Sequence, residues 1–196
     1  MTKTWLITGV SGGLGGGRGA AGFADVPPTH WAYDTVTRLE TEGVLGGVDG
    51  SAFQPDRTVT RAEFAALLAK ALKLPAPGAS SPGFVDVTFT DWFYDAVLRV
   101  AAAGLMRGIG NGRFAPELGL DREAAAVVAT ILGAGRPPAA DSVAYSDLGE
   151  ASEWALQAIV EAARRGLLRG YPDGTFQPQR GLTRAEAAVL VLRLRP

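Results

Sequence analysis

Blocks of residues recur along the chain at a spacing of about 61 positions, and no other feature restricts the fold so strongly. Phe23-Ala24-Asp25-Val26 returns as Phe84-Val85-Asp86-Val87 and again as Tyr145-Ser146-Asp147-Leu148. Trp31, Trp92 and Trp154 keep step with it, as do Gly43, Gly104 and Gly166. So do Phe53, Phe114 and Phe176, each opening a Phe-x-Pro, and Arg61, Arg122 and Arg184. That many independent positions in register define three modules, at residues 23–74, 84–133 and 145–196, preceded by a Gly-rich leader at 1–22.

Within each module apolar residues fall at helical spacing twice, which predicts helix, turn, helix. In the first module Trp31, Thr35, Val36 and Leu39 form a stripe that ends at Gly43, a C-terminal capping glycine. Thr60-Arg61-Ala62-Glu63 has the spacing of a capping box and opens the second helix, through Phe64, Leu67, Leu68, Ala71 and Leu72. Thr183-Arg184-Ala185-Glu186 repeats the box. Asp121-Arg122-Glu123-Ala124 keeps the cap and the arginine but moves the acid one position forward, which puts the reciprocal bond in question. Between the helices Val48-Asp49-Gly50, Gly110-Asn111-Gly112 and Pro172-Asp173-Gly174 are tight-turn sequences. The linkers at 74–83 and 133–142, rich in Pro, Gly, Ala and Ser, are long enough to reposition a module. A two-helix unit cannot cover its own apolar face, so the expected fold is all-α. Three long helices, one per module, would pack as a central bundle with pseudo-threefold symmetry.

Composition narrows the chemistry. Of 196 residues 47% are hydrophobic, enough for a core, and 19 Lys+Arg against 20 Asp+Glu leave a net charge of −1. That balance excludes holding nucleic acid or an anionic membrane by bulk charge, so any anion must be held locally. The absence of cysteine removes disulfides, thiol catalysis and Cys-ligated metals, and His30 is the only histidine. His30 is most simply a surface residue at a helix start. No apolar run approaches the roughly 20 residues of a membrane span. Trp5-Leu6-Ile7 is too short for the core of a signal peptide. Neither catalysis nor a cofactor is expected.

The ordered combination of Phe-x-Asp-Val, His30-Trp31-Ala32-Tyr33, the run from Gly166 through Pro178 and Thr-Arg-Ala-Glu resembles S-layer homology (SLH) domains over about nine-tenths of the chain. The resemblance implies a trio of modules with three prongs around a helical bundle. It also implies a non-catalytic, exported cell-surface anchor that binds secondary cell-wall polysaccharide, pyruvylated and acidic, in grooves between modules. The expected form is a monomer with internal symmetry. The alternative is a helical scaffold for protein partners without glycan specificity. Module two carries Gly108-Ile109-Gly110-Asn111-Gly112 where module three has Gly-Tyr-Pro-Asp-Gly, and module one is a residue short there. Module three has Leu156-Gln157 in place of Tyr33-Asp34 and Tyr94-Asp95. The three grooves are therefore expected to differ in affinity.

Candidate ligand-binding residues follow. Arg61, Arg122 and Arg184 each stand at a helix N-terminus, where a cation opposes the macrodipole, and a misplacement repeated three times suggests a use. With free N–H groups beside it, each guanidinium would receive a carboxylate; otherwise it pairs with a nearby acid. On the binding reading, replacing all three by alanine would leave helicity near normal. Trp31, Trp92 and Trp154 offer faces for sugar C–H groups, although a Trp at the start of an amphipathic helix more often anchors a core. Asp25, Asp86 and Asp147 either accept sugar hydroxyls or fix a turn. Gly47, Gly108 and Gly170 either admit a ligand to the backbone or adopt positive φ. Finally, Lys3 through Gly15 resembles the opening of a short-chain dehydrogenase, with Thr8-Gly9-x-x-x-Gly13-x-Gly15. A poor helix sequence follows and no further strands do, so the leader is read as a remnant without a working cofactor site.

Overall fold

The computed structural model describes residues 22–48, 52–78, 83–140 and 142–195. The dehydrogenase-like leader therefore lies outside the described residues, as does most of the Val48-Asp49-Gly50 turn. Among the described residues there are six α-helices, two per module: α1 (Tyr33–Thr41), α2 (Arg61–Ala71), α3 (Tyr94–Ala102), α4 (Arg122–Leu132), α5 (Leu156–Arg164) and α6 (Arg184–Leu194). A 3-10 turn at Leu148–Glu150 precedes α5. Among the described residues extended pairing is confined to isolated bridges, and no helix is long and apolar enough to cross a membrane.

Local chemistry sets the helix ends as the sequence suggests. The first helices stop where Gly43, Gly104 and Gly166 take φ of 70°, 69° and 67°. At each, the N–H of the next residue reaches back to a carbonyl in the last turn, as from Val44 to Leu39 at 2.8 Å. Both capping boxes of α2 and α6 are formed. At α4 only the forward half exists, Asp121 accepting from the Ala124 N–H. The displaced Glu123 is buried and instead accepts from the N–H and hydroxyl of Ser152, ahead of α5.

The repeat unit and the packing unit differ. Each first helix lies chiefly on the second helix of the preceding module: α3 on α2, α5 on α4 and, closing the circle, α1 on α6. The second helices form the centre, with α6 touching both α2 and α4. They bury side chains around most of their circumference, whereas α1 and α3 each bury only two. Phe64, at 0% exposure, gains about 1.5–3 kcal/mol from burial alone. One continuous core runs through all three modules.

On the pseudo-threefold axis the backbone closes a ring. The Val59 N–H donates to the Leu182 carbonyl at 2.9 Å, the Leu182 N–H to Leu120 at 2.7 Å, and the Leu120 N–H back to Val59 at 2.9 Å. The linkers are tied as well. Arg99 donates to the Leu74 carbonyl at 2.5 Å and Arg165 to that of Gly133, while Arg136 donates to the Arg193 and Arg195 carbonyls at the end of α6. Each linker thus starts from a carbonyl held by an arginine of the following module.

Candidate functional site: the grooves between modules

Each arginine reaches out of its own module into the next one. Arg61 Nε donates to the Phe114 carbonyl at 2.8 Å and Nη2 to that of Arg107 at 2.6 Å. Arg122 treats Phe176 and Arg169 alike, at 2.8 and 2.7 Å, and Arg184 completes the cycle on Phe53 and Gly46 at 2.7 and 3.2 Å. Each guanidinium also lies over the ring of the phenylalanine whose carbonyl it holds, 4.6–4.8 Å from its centre. All three are at most 9% exposed, and burial pulls their pKa values down, opposed by nearby carboxylates.

The backbone N–H groups expected to stand free beside them are occupied. Those of Arg61 and Ala62 donate to Leu118 and Pro116, those of Arg122 and Glu123 to Arg180 and Pro178, and those of Arg184 and Ala185 to Arg57 and Pro55. The N-terminus of each central helix is thus plugged into its neighbour's loop, and only the guanidinium is left to meet an anion.

Asp25, Asp86 and Asp147 prepare those loops. Each carboxylate accepts two backbone N–H groups, at 2.7–2.9 Å, from the Phe and the middle residue of Phe-x-Pro. The middle residues Gln54, Ala115 and Gln177 sit at φ of 56–59°, a left-handed conformation costing of order 1 kcal/mol or more, which the paired bonds offset. Burial raises the pKa of Asp25 and Asp86, but the N–H bonds outweigh it and leave both below the ordinary carboxylate value. A depressed folded-state pKa gives stability that is complete above the unfolded value near 4 and fades as pH falls through the folded one. Asp86→Asn is therefore expected to lower the melting temperature at pH 7 and to lose less on going to pH 3 than the parent, as thermal melts would measure.

Gly108 and Gly170 are needed for close approach. Neither has a positive φ. A Cβ on Gly108 would stand 2.6 Å from the Arg113 carbonyl oxygen, and one on Gly170 2.3 Å from the Tyr145 ring. Gly47 lines a groove.

Trp31, Trp92 and Trp154 are 62%, 37% and 61% exposed, so the core anchor is the next residue, Ala32, Phe93 or Ala155. Two of the three stand at inter-module grooves. One groove, of about 270 Å³, has Arg184, Glu63, Leu67, Lys70 and Trp92 in its walls. The other, of about 210 Å³, has Arg122, Glu186, Leu190, Arg193 and Trp31 in equivalent places. Glu63 and Glu186 each accept from a guanidinium, Arg184 and Arg122 respectively, at 3.2 Å. Burial lowers the pKa of Lys70, and burial together with Arg169 lowers that of Arg193. Lys70, Arg193 and Tyr171 were not among the sequence candidates. The pairs Glu63/Lys70 and Glu186/Arg193, each separated by two helical turns, were the signal for two of them. Among the described residues no cluster of His, Asp and Glu could hold a metal ion.

These features belong to a repeat protein whose modules interlock and leave charged, tryptophan-edged clefts between them. The S-layer homology domain matches residues 22–65, 83–126 and 144–188, and the chain belongs to that family. It is similar to an amylopullulanase of Thermoanaerobacterium thermosulfurigenes, 31% identical over 84% of this chain and 9% of that protein. It is also similar to an S-layer protein of Bacillus thuringiensis subsp. finitimus, 30% identical over 87% of this chain and 21% of that protein. A third relative, a cellulosome-anchoring protein of Acetivibrio thermocellus, is 32% identical over 76% of this chain and 34% of that protein. The chain thus spans between 9% and 34% of the length of each of these relatives.

Proposed function

We propose that the chain is a non-catalytic cell-wall anchoring module that binds an acidic secondary cell-wall polysaccharide, pyruvylated on its sugars, in the grooves between modules. The observation that carries this reading is the groove itself, a cleft with a guanidinium at its head, a second cation two turns along and an exposed indole at its edge. That combination suits a sugar ring bearing a carboxylate: stacking for the C–H face and charge-assisted bonds for the anion. The relatives named as S-layer and cellulosome-anchoring proteins support a place at the cell surface. Interlocking of modules within one chain supports a monomer. Several grooves on one frame facing a repeating polymer gain avidity through effective concentration.

Calorimetric titration with pyruvylated N-acetylmannosamine, beside the same sugar without the ketal, tests the reading. Binding of the ketal alone is the expected result; binding of neither sugar overturns it and favours a protein partner. Because Trp31 is 62% exposed, Trp31→Ala is expected to weaken binding roughly tenfold, about 1.4 kcal/mol, with an unchanged melting temperature.

A further inference from the structure

The loops between the helices carry Asp49-Gly50, Asn111-Gly112 and Asp173-Gly174 at their tips, and Asn111 is the only asparagine in the chain. In module two the pair forms the centre of a hairpin turn. Asn111 and Gly112 take φ of 50° and 68°, the Arg113 N–H donates to the Gly110 carbonyl at 2.9 Å, and the Ile109 N–H donates to that of Arg113 at 2.8 Å. Both residues are exposed, and among the described residues neither the Asn111 side-chain amide nor the Gly112 N–H has a hydrogen-bond partner. Asp173-Gly174 in module three is held at both points. The Asp173 carboxylate accepts from the Thr175 hydroxyl and N–H at 2.7 and 2.9 Å, bonds that keep its pKa below the ordinary carboxylate value. The Gly174 N–H donates to the Tyr171 carbonyl at 3.1 Å. Asp49-Gly50 lies outside the described residues.

From these observations we propose that Asn111 is a self-modification site, converting to aspartate and iso-aspartate with Gly112 as the attacking partner. The Gly112 backbone nitrogen bonds to the carbonyl carbon of the Asn111 side chain and gives up its proton. The bond from that carbon to the side-chain nitrogen breaks, and ammonia leaves with the proton. Water then opens the cyclic imide at either carbonyl. One opening gives aspartate in the normal backbone, and the other gives iso-aspartate, whose backbone runs through the side chain and is one carbon longer. At Asn111 the group attacked is a neutral amide, the attacking nitrogen is free, and Gly112 has no side chain to crowd the ring. At Asp173 the group is a carboxylate already holding two donors, and the nitrogen is engaged. The modification reaches beyond the turn. The Gly112 carbonyl accepts from the Val85 N–H at 2.8 Å, and Arg113 lies 3.6 Å from Asp86, the carboxylate that shapes the Phe114 loop. A longer backbone at Asn111 disturbs that hairpin, and the new negative charge competes with Asp86 for Arg113. Conversion therefore loosens the loop whose Phe114 carbonyl Arg61 holds.

The test incubates the full chain in mildly alkaline buffer beside the free peptide Gly-Ile-Gly-Asn-Gly-Arg, residues 108–113, which trypsin also releases from the chain. Mass spectrometry follows both, with electron-transfer fragmentation to tell iso-aspartate from aspartate. In the chain that peptide is expected to gain one mass unit with iso-aspartate at position 111, at a rate within about tenfold of the free peptide. The peptide carrying Asp173 is expected to show no iso-aspartate. A chain slower than the free peptide by more than about tenfold, or about 1.4 kcal/mol added to the barrier, means that the turn protects Asn111 and overturns the proposal. Equal conversion at Asp173 overturns it as well, since the free groups at Asn111 would then decide nothing. Asn111→Gln is expected to stay unmodified and to keep its melting temperature on storage while the stored parent melts lower. Parent and variant melting alike after storage would overturn the loosening of the loop.

Discussion

Arg122→Ala is expected to lower stability by about 3–5 kcal/mol, the range for removing one partner of a buried ion pair. In a chain of this size that lowers the melting temperature by roughly 6–20 °C. The side chain is 2% exposed and holds the carbonyls of Phe176 and Arg169 as well as Glu186. Its loss strands two carbonyl acceptors in a buried interface and takes from Glu186 one of its partners, leaving it Tyr171 and Arg180. Arg122→Lys should recover little, because one ammonium cannot reproduce three donors in a planar fork or lie flat over the Phe176 ring. Arg61→Ala should cost less than Arg122→Ala, since Arg61 holds two carbonyls without the added ion pair to a glutamate. Differential scanning calorimetry of the three variants checks this order; a loss under 1 kcal/mol for Arg122→Ala would remove the guanidinium as a lock.

Deleting residues 142–196 is expected to abolish cooperative unfolding, although two complete repeats would remain. The deletion removes α6, on which α1 packs, and with it Arg184, which holds the Phe53 loop. It also takes Leu182 out of the central ring. Module one then exposes Val36 and Leu39 with no helix to cover them, and α4 loses α5. Calorimetry of the shortened chain should show no sharp transition, or sedimentation should show copies exchanging helices. A monomeric two-module fragment melting as sharply as the parent would mean that modules fold singly.

Much of the fold was legible because helix ends are written in local chemistry. Gly43, Gly104 and Gly166, together with the Thr60 and Thr183 boxes, fix where five of the six helices stop or start. The partner of each helix was not legible. An apolar stripe such as Val36 and Leu39 states that a face will be covered, and only the tertiary arrangement says that the cover is α6. The same gap explains the tryptophans. Trp31 fits the spacing of the helical stripe, but α1 begins only at Tyr33, and in the turn before it Ala32 is buried while the indole is exposed. For the arginines, electrostatics rightly marked a cation at a helix N-terminus as needing an explanation. The acceptors that supply it, the carbonyls of Phe53, Phe114 and Phe176, lie 131, 53 and 54 residues away in sequence. Their clue was the Phe-x-Pro itself, whose middle residue takes a left-handed turn.

The three backbone bonds through Val59, Leu120 and Leu182 have a consequence for how such a chain can grow. In an open solenoid each repeat presents the same edge to the next, so repeats can be added or lost with small change in the rest. Here every donor on the axis already has its acceptor and every arginine its loop, and the last repeat is joined to the first. A fourth repeat would find no vacant edge, and a missing one would leave two. The closure acts as a counter that stops at three, and duplication of a single repeat would yield a chain with one unit excluded from the assembly.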